Sequence, residues 1–242
     1  MKRISAYSRP ESLSEALALL ELPGAVLIGG GTKVRDRGPS EPMSVVDLQL
    51  AGLTGIDQLD NGALRIGATT TLQQLTDSEG VPAVIREAAR RESPSTLRAQ
   101  STLGGTIVSA DWESELLATL LVHDAVVLVA RPDGTEETRL EALFVQIPFL
   151  SHQIVTAVVI DTRGKASVAR TARTPADKPI VVAAARVGAD GRRRLALAGV
   201  ASTPILVAGT DELNPPGDFR GSGEYRRSLA GVLLSRAIEG VF

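Results

Sequence analysis

Two stretches decide how this chain is read: residues 26–33, Val-Leu-Ile-Gly-Gly-Gly-Thr-Lys, and residues 101–106, Ser-Thr-Leu-Gly-Gly-Thr. The first runs from an apolar, strand-like segment straight into three glycines. The second lies in a stretch, 93–110, that is rich in Gly, Ser and Thr and has no apolar period. Glycine admits positive φ and lets a ligand approach backbone N–H groups closely. Successive inward N–H groups make a nest for an anion, and threonine hydroxyls add donors. Neither stretch is a Walker loop, because no Gly-Lys-Ser/Thr follows a four-residue gap. Neither is a Rossmann loop, because Val34 and Val108 stand where the third glycine belongs. One such loop is most simply a structural turn. Two, both bearing threonine, predict a diphosphate held between them.

Outward from these loops the pattern mixes strands and helices. A strand is predicted over 4–7, then a helix opened by a Ser12–Glu15 capping box and stopped at Pro23-Gly24. Strands follow over 26–28 and 44–48. A hairpin over 56–59 and 63–68 turns at Asn61-Gly62, both expected at positive φ. Helices are predicted from Thr71 to Leu75, over 82–91, 114–122 and 140–145, with strands over 125–130 and 154–160. Beyond residue 164 the pattern changes to three strands, 166–171, 180–187 and 193–200, which read as a small antiparallel sheet. A last helix over 223–238 places Tyr225, Leu229, Val232, Leu233 and Ile238 at core spacing. The class is α+β, with a domain boundary near 162–166.

Composition removes many functions. The 242 residues carry 26 basic and 28 acidic groups, so nothing favours a nucleic acid or an anionic membrane surface. There is no cysteine, which excludes disulfides, thiolate nucleophiles, cysteine-ligated zinc and iron–sulfur clusters within this chain. The two histidines, His123 and His152, form no HExxH spacing. The first residues lack a signal-peptide core and no apolar run reaches membrane-span length, so the cytoplasm is the expected compartment. His123 reads as a helix cap or surface residue, and Trp112 as a core residue or the cover of a ligand ring. Arg192-Arg193-Arg194 reads as a solvated strand end, and Arg226 and Arg227 as ion pairs or a partner contact. Glu115 is the carboxylate with a functional prospect, as acceptor for a ribose or a water network.

Four segments together resemble the FAD-binding subunit of the molybdenum hydroxylases, the xanthine dehydrogenase and carbon monoxide dehydrogenase family. Residues 26–32 resemble its first flavin loop. Residues 63–70, Ala-Leu-Arg-Ile-Gly-Ala-Thr-Thr, resemble a strand that follows. Arg86–Arg90, Leu97-Arg98 and 102–105 resemble its second loop, and Arg220–Arg227 with Arg236-Ala237 its C-terminal helix. The resemblance implies a two-subdomain flavin-binding fold of the vanillyl-alcohol oxidase (PCMH) type over 1–163, with subdomains about 1–55 and 56–163. A carbon monoxide dehydrogenase flavoprotein-like domain of a three-stranded antiparallel sheet and helices would occupy 164–242.

It also implies FAD between the subdomains, its diphosphate on the N–H groups of residues 29–33 and 102–106. The implied cofactor-binding set is Ile28, Gly29, Gly30, Gly31, Thr32, Lys33, Ser101, Thr102, Gly104, Gly105, Thr106, Glu115 and Arg170, with no catalytic residue and no metal ligand. Electrons would arrive from a 2Fe-2S small subunit and leave to NAD, a quinone, oxygen or another acceptor. Substrate would be oxidised in a molybdopterin-binding large subunit. The sequence departs from the family at Ala99 and Thr106, where Asn is usual, and at Trp112 and Glu115, where Pro and Asp are usual. Ala169 stands where a Lys is common, with Arg170 adjacent, and Lys33 replaces a frequent Asp or Ser. Two alternatives therefore stay open: a scaffold subunit that kept the fold and lost FAD, and a stand-alone flavin reductase on the same fold.

Overall fold

The computed structural model describes residues 4–33, 42–147, 150, 152–174, 177–210 and 212–242. The first layer is β1 (Ile4–Ser8), α1 (Leu13–Leu20), β2 (Ala25–Ile28) and β3 (Met43–Asp47), with the strands parallel in the order β1-β3-β2. Ser12 caps α1 by accepting the Glu15 N–H at 3.2 Å. The Glu15 carboxylate returns to the N–H of Glu11 rather than of Ser12. α1 buries Ala16 and Leu20 in a small core with Val46, Leu48 and Ile154. The predicted Pro- and Gly-bearing loop before β3 falls largely on 34–41, outside the described residues.

The second layer is an antiparallel sheet of β4 (Ile56–Gln58), β5 (Ala63–Gly67), β6 (Val126–Arg131), β7 (Gly134–Arg139) and β8 (Ile154–Asp161), in the order β4-β5-β8-β6-β7. The β4–β5 turn differs from expectation. The Gly62 N–H donates to Leu59 O at 2.9 Å, and only Gly62 has positive φ, +80°. This is a three-residue turn with a glycine bulge, not a two-residue turn with both centres left-handed. β7 was not expected. Its sequence, Gly-Thr-Glu-Glu-Thr-Arg, is polar on both faces because it is a sheet edge, so no alternation marks it.

Five helices connect β5 to β6: α2 (Leu72–Asp77), α3 (Ala83–Glu92), α4 (Ser95–Arg98), α5 (Leu103–Ser109) and α6 (Glu115–Val122). α7 (Leu140–Gln146) precedes β8. The aperiodic stretch 93–110 is thus two short helices, and Gly104-Gly105 form the first turn of α5 rather than an extended loop.

The third layer is β9 (Lys165–Thr171), β10 (Val181–Val187), β11 (Arg193–Ala198) and a two-residue β12 (Ile205–Leu206), antiparallel in the order β12-β11-β10-β9, so the sheet has four strands and not three. α8 (Gly223–Glu239) packs on β9 and β10. Its buried face is Arg226, Ala230, Leu233, Leu234 and Ala237, whereas Tyr225 and Val232 are exposed. Of the predicted face, Leu233 is buried and Leu229 and Ile238 pack against the same core, while Tyr225 and Val232 do not. Arg226 makes the expected ion pairs, and it makes them fully buried. It donates to Asp218 at 2.7 Å and to the Gly199 carbonyl at 3.0 Å, and lies 3.4 Å from Glu113 and 4.5 Å from the centre of the Trp112 ring. Arg227 donates to Leu213 O at 2.7 Å. Arg186 on β10 is likewise buried, 2.9 Å from Asp161 and 3.3 Å from Asp124. The two arginines tie the third layer to the second. Arg194 joins them through Asp124, while Arg192 faces Asp190 and Arg193 covers Phe242. Among the described residues no helix is long and apolar enough to cross a membrane.

His123 is the C-cap of α6, as expected, but it is buried rather than on the surface. Its Nδ1–H donates to Thr119 O at 2.8 Å. Burial pushes its pKa down from the usual 6.5 to about 4, so it is neutral in the fold. The unfolded chain takes up the proton below pH 6.5 and the folded chain does not. Stability therefore falls as pH drops from about 6.5 to 4, by about 2 kcal/mol at pH 5 from this group. Denaturant midpoints at pH 7 and pH 5 should show His123→Gln losing about 2 kcal/mol less than the wild type over that interval. Arg226 and Arg220 together face Glu113 and Asp218, and removing the fully buried Arg226 guanidinium leaves Arg220 alone to balance two carboxylates and leaves the Gly199 carbonyl without its donor. Arg226→Met should lower unfolding stability by about 3 kcal/mol or more in the same assay. Gly231, mid-helix in α8 with open space where a Cβ would stand, behaves oppositely. Gly231→Ala should raise stability by about 0.5–1 kcal/mol.

Candidate functional site: a glycine-lined cleft between the first two layers

The C-terminal end of β2 and the start of α5 face each other across a cleft of about 860 Å³, within the usual range for small-molecule sites. All eleven predicted loop residues line it: Ile28, Gly29, Gly30, Gly31, Thr32 and Lys33 from one side, Ser101, Thr102, Gly104, Gly105 and Thr106 from the other. The two loops touch. A Cβ on Gly30 would stand 1.6 Å from the Gln100 carbonyl oxygen, and one on Gly29 would stand 2.7 Å from Thr102 Oγ1. A Cβ on Gly104 would stand 2.9 Å from that of Ala68. At Gly30 the contact is with backbone, so glycine is required; at Gly29 and Gly104 the nearest atoms are the side chains of Thr102 and Ala68. Gly31 is different. It has φ +70°, and no atom of the described residues lies within 4 Å of its Cβ position. Thr32 Oγ1 and Ser101 Oγ lie 3.0 Å apart and join the loops through their hydroxyls.

The donors are unevenly divided. On the second loop the N–H groups of Leu103 and Gly104 donate to Thr70 O and Ala68 O, at 2.9 and 2.8 Å. Those of Gly105 and Thr106 donate to Thr102 Oγ1 and Thr102 O, at 3.2 and 3.0 Å. The expected nest over 102–106 is therefore not free at residues 103–106, because capping α5 uses those groups. On the first loop no acceptor among the described residues takes the N–H of Gly30, Gly31 or Thr32. Lys33 Nζ lies 3.3 Å from Glu92 Oε1 and 3.2 Å from Ser109 Oγ.

Glu115 and Arg170 do not line the cleft. Glu115 is buried, with Arg91 at 3.0 Å on one oxygen and Arg170 at 3.0 Å on the other. Burial raises its pKa above the ordinary carboxylate value, and the two guanidiniums offset part of that rise. The prediction that it accepts from a ribose or a water network is corrected: both oxygens face guanidiniums because a buried carboxylate needs counter-charges. Arg170, whose Nη2 also donates to Asp177 O at 2.6 Å, is one of them. Trp112 lies against Arg226 and covers no part of the cleft.

Sequence reading missed the rest of the wall. Leu20, Leu48, Phe144 and Ile147 form an apolar side, and Ser202 and Thr203 come from the turn between β11 and β12. The apolar residues carried no signal, since each looks like ordinary core. The turn did: Gly199 at φ +82° followed by Ser202-Thr203-Pro204 marks a bend.

Comparison with known proteins agrees with this geometry. Residues 2–161 match the family model described as the FAD binding domain in molybdopterin dehydrogenase. The chain is 32% identical over 251 residues to the uncharacterized protein YgfM of Escherichia coli K12, covering 96% of this chain and 94% of that protein. It is 26% identical over 274 residues to the carbon monoxide dehydrogenase medium chain of Afipia carboxidovorans, covering 96% and 95%. In fold it is similar to a chain of the crystal structure of the Cu,Mo-CO dehydrogenase, with a TM-score of 0.87, 24% identity, and coverage of 100% and 98%. The contiguous glycine loops, the three-layer α+β architecture and the match over 2–161 lead to one conclusion: the chain belongs to the family of FAD-binding domains of the molybdopterin dehydrogenases.

Proposed function

We propose that the chain holds FAD in the glycine-lined cleft and serves in the cytoplasm as the electron-transfer subunit of a molybdenum-containing hydroxylase or dehydrogenase. It takes electrons from a 2Fe-2S small subunit and passes them to NAD, a quinone, oxygen or another acceptor, while a molybdopterin-binding large subunit oxidises the substrate. The domain division at 163/164 belongs to this reading, and the change of sheet between β8 and β9 supports it. The observation that carries the reading is the first loop. Its N–H groups at Gly30, Gly31 and Thr32 lack acceptors among the described residues, directly against a second glycine loop. That arrangement fits a diphosphate.

The residues present fit the rest of FAD. Leu20, Leu48, Phe144 and Ile147 offer apolar surface for flat rings, and Ser101, Thr102 and Thr32 offer hydroxyls near the sugar–phosphate chain. When bound, FAD supplies the one- and two-electron chemistry. The chain binds, orients and shields it from water. A scaffold that has lost FAD is the second reading. One observation favours it: the side chains of Thr106, Glu115 and Arg170 engage other groups of the chain, with Thr106 Oγ1 donating to Thr102 O at 3.1 Å.

The visible absorption spectrum of the purified chain, with acid release and identification of any flavin, tests the choice. A flavin spectrum with FAD released is expected. A folded chain that binds its partner subunits yet stays colourless with added FAD would overturn the reading in favour of the scaffold. Gly30→Ala, which drives a Cβ into the Gln100 carbonyl, should weaken FAD binding at least tenfold, while Gly231→Ala leaves it unchanged. Fluorescence titration with FAD measures both.

A further inference from the structure

We propose that Lys33 is the counter-cation of the bound diphosphate, pre-placed by Glu92 and Ser109; this rests on FAD binding in the cleft. An ammonium has three N–H donors. Glu92 Oε1 at 3.3 Å and Ser109 Oγ at 3.2 Å take two, and no acceptor among the described residues takes the third. The two holders are themselves fixed. Glu92 has a side chain only 5% exposed and receives the Ser114 hydroxyl at 2.8 Å. Ser109 donates to Thr106 O at 2.7 Å, one turn along α5 from Gly105. The ammonium thus reaches from the first loop to the helix that carries the second, and spans the gap a diphosphate would fill.

Charge balance points the same way. Among the described residues lining the cleft, Lys33 is the sole lysine or arginine. The sole carboxylate there, Glu21, pairs with His152 at 3.3 Å. A diphosphate entering the cleft brings at least one full negative charge that the backbone N–H groups solvate but do not neutralise. The Glu92 carboxylate offsets the Lys33 charge at long range, so what Lys33 offers is a directed N–H donor and a local positive end, and Glu92 keeps its flexible stem from sampling other positions, which lowers the ordering entropy that binding would otherwise require.

The experiment compares FAD, which carries the diphosphate, with riboflavin, which lacks it, by fluorescence titration of the full-length chain at low and at high sodium chloride. Wild type, Lys33→Gln and Lys33→Arg are used. Lys33→Gln should bind FAD about tenfold more weakly and riboflavin unchanged, with Lys33→Arg restoring most of the loss. Wild-type FAD affinity should fall with salt, and that dependence should flatten in Lys33→Gln. Because the salt dependence is read on the wild type, the inference stays testable even if a variant misfolds. Equal FAD affinity in wild type and Lys33→Gln, or a wild-type affinity indifferent to salt, would overturn the inference and leave the FAD reading standing. A wild type that binds no FAD would overturn both.

Discussion

The complete burial of α6 is the constraint on which the other layers depend. All eight of its residues are buried. It packs against α3 on one side and against β10, β11 and β12 on the other. A helix in that position cannot leave its end groups to water. Its last carbonyls are all met from within: Thr119 O by the His123 ring, Leu120 O and Leu121 O by the N–H groups of His123 and Asp124, and Val122 O by Arg186. At the other end Ser114 accepts the Leu117 N–H at 3.0 Å, and Glu115 faces Arg91 and Arg170. The three arginines among these partners, Arg91, Arg170 and Arg186, belong to α3, β9 and β10, so satisfying one helix fixes the relation of those three elements to one another. The buried charges of this protein follow from that geometry.

The cleft inherits its shape from the same arrangement. Ser114, which caps α6, also donates to Glu92, and Glu92 holds Lys33 at the cleft wall. α3, which carries Glu92 and Arg91, therefore connects the central helix to the first glycine loop. The second loop is held from below, where Gly104 meets Ala68 and the N–H groups of Leu103 and Gly104 reach Thr70 and Ala68 at the end of β5. The loops then meet without room for a single methyl group at Gly29 or Gly30. Such contact makes the cleft preformed, because separating the loops would break both the β5 and the α6 attachments.

Much of this was legible in the sequence, and the part that was not shares one cause. Most of the strands and α6 could be placed from apolar period and capping residues, because those signals are local, whereas the polar edge strand β7 and the two-residue β12 carry none. The residues of both loops come together in one cleft, as their glycine and threonine content suggested. The errors concern polar residues whose partners are distant in sequence. Arg226 read as an ion pair or a partner contact, and it does pair, but nothing local shows that the pair is fully buried among residues as distant as Glu113. Glu115 and Arg170 read as ligand contacts, yet they neutralise each other across 55 residues of chain. His123 read as a cap or a surface residue; it is the cap, and what the sequence did not show is that the helix it closes is buried. Pairing across the fold decides these cases, and a single sequence carries no record of it.

The same distinction explains the division between the two loops. Glycine spacing alone cannot separate a loop whose N–H groups face a ligand from one whose N–H groups cap its own helix. Both need small residues, the first so that a ligand can approach and the second so that another backbone can. Residues 103–106 belong to the second kind, because Thr102 stands at an N-cap and β5 ends beneath it. Residues 30–32 belong to the first, since they follow a strand and precede no helix among the described residues. The second loop therefore acts as a rigid floor and the first as the donor surface. In the proposed complex the phosphate would sit beside Gly31 and Lys33 on the donor loop, with the second loop beneath it.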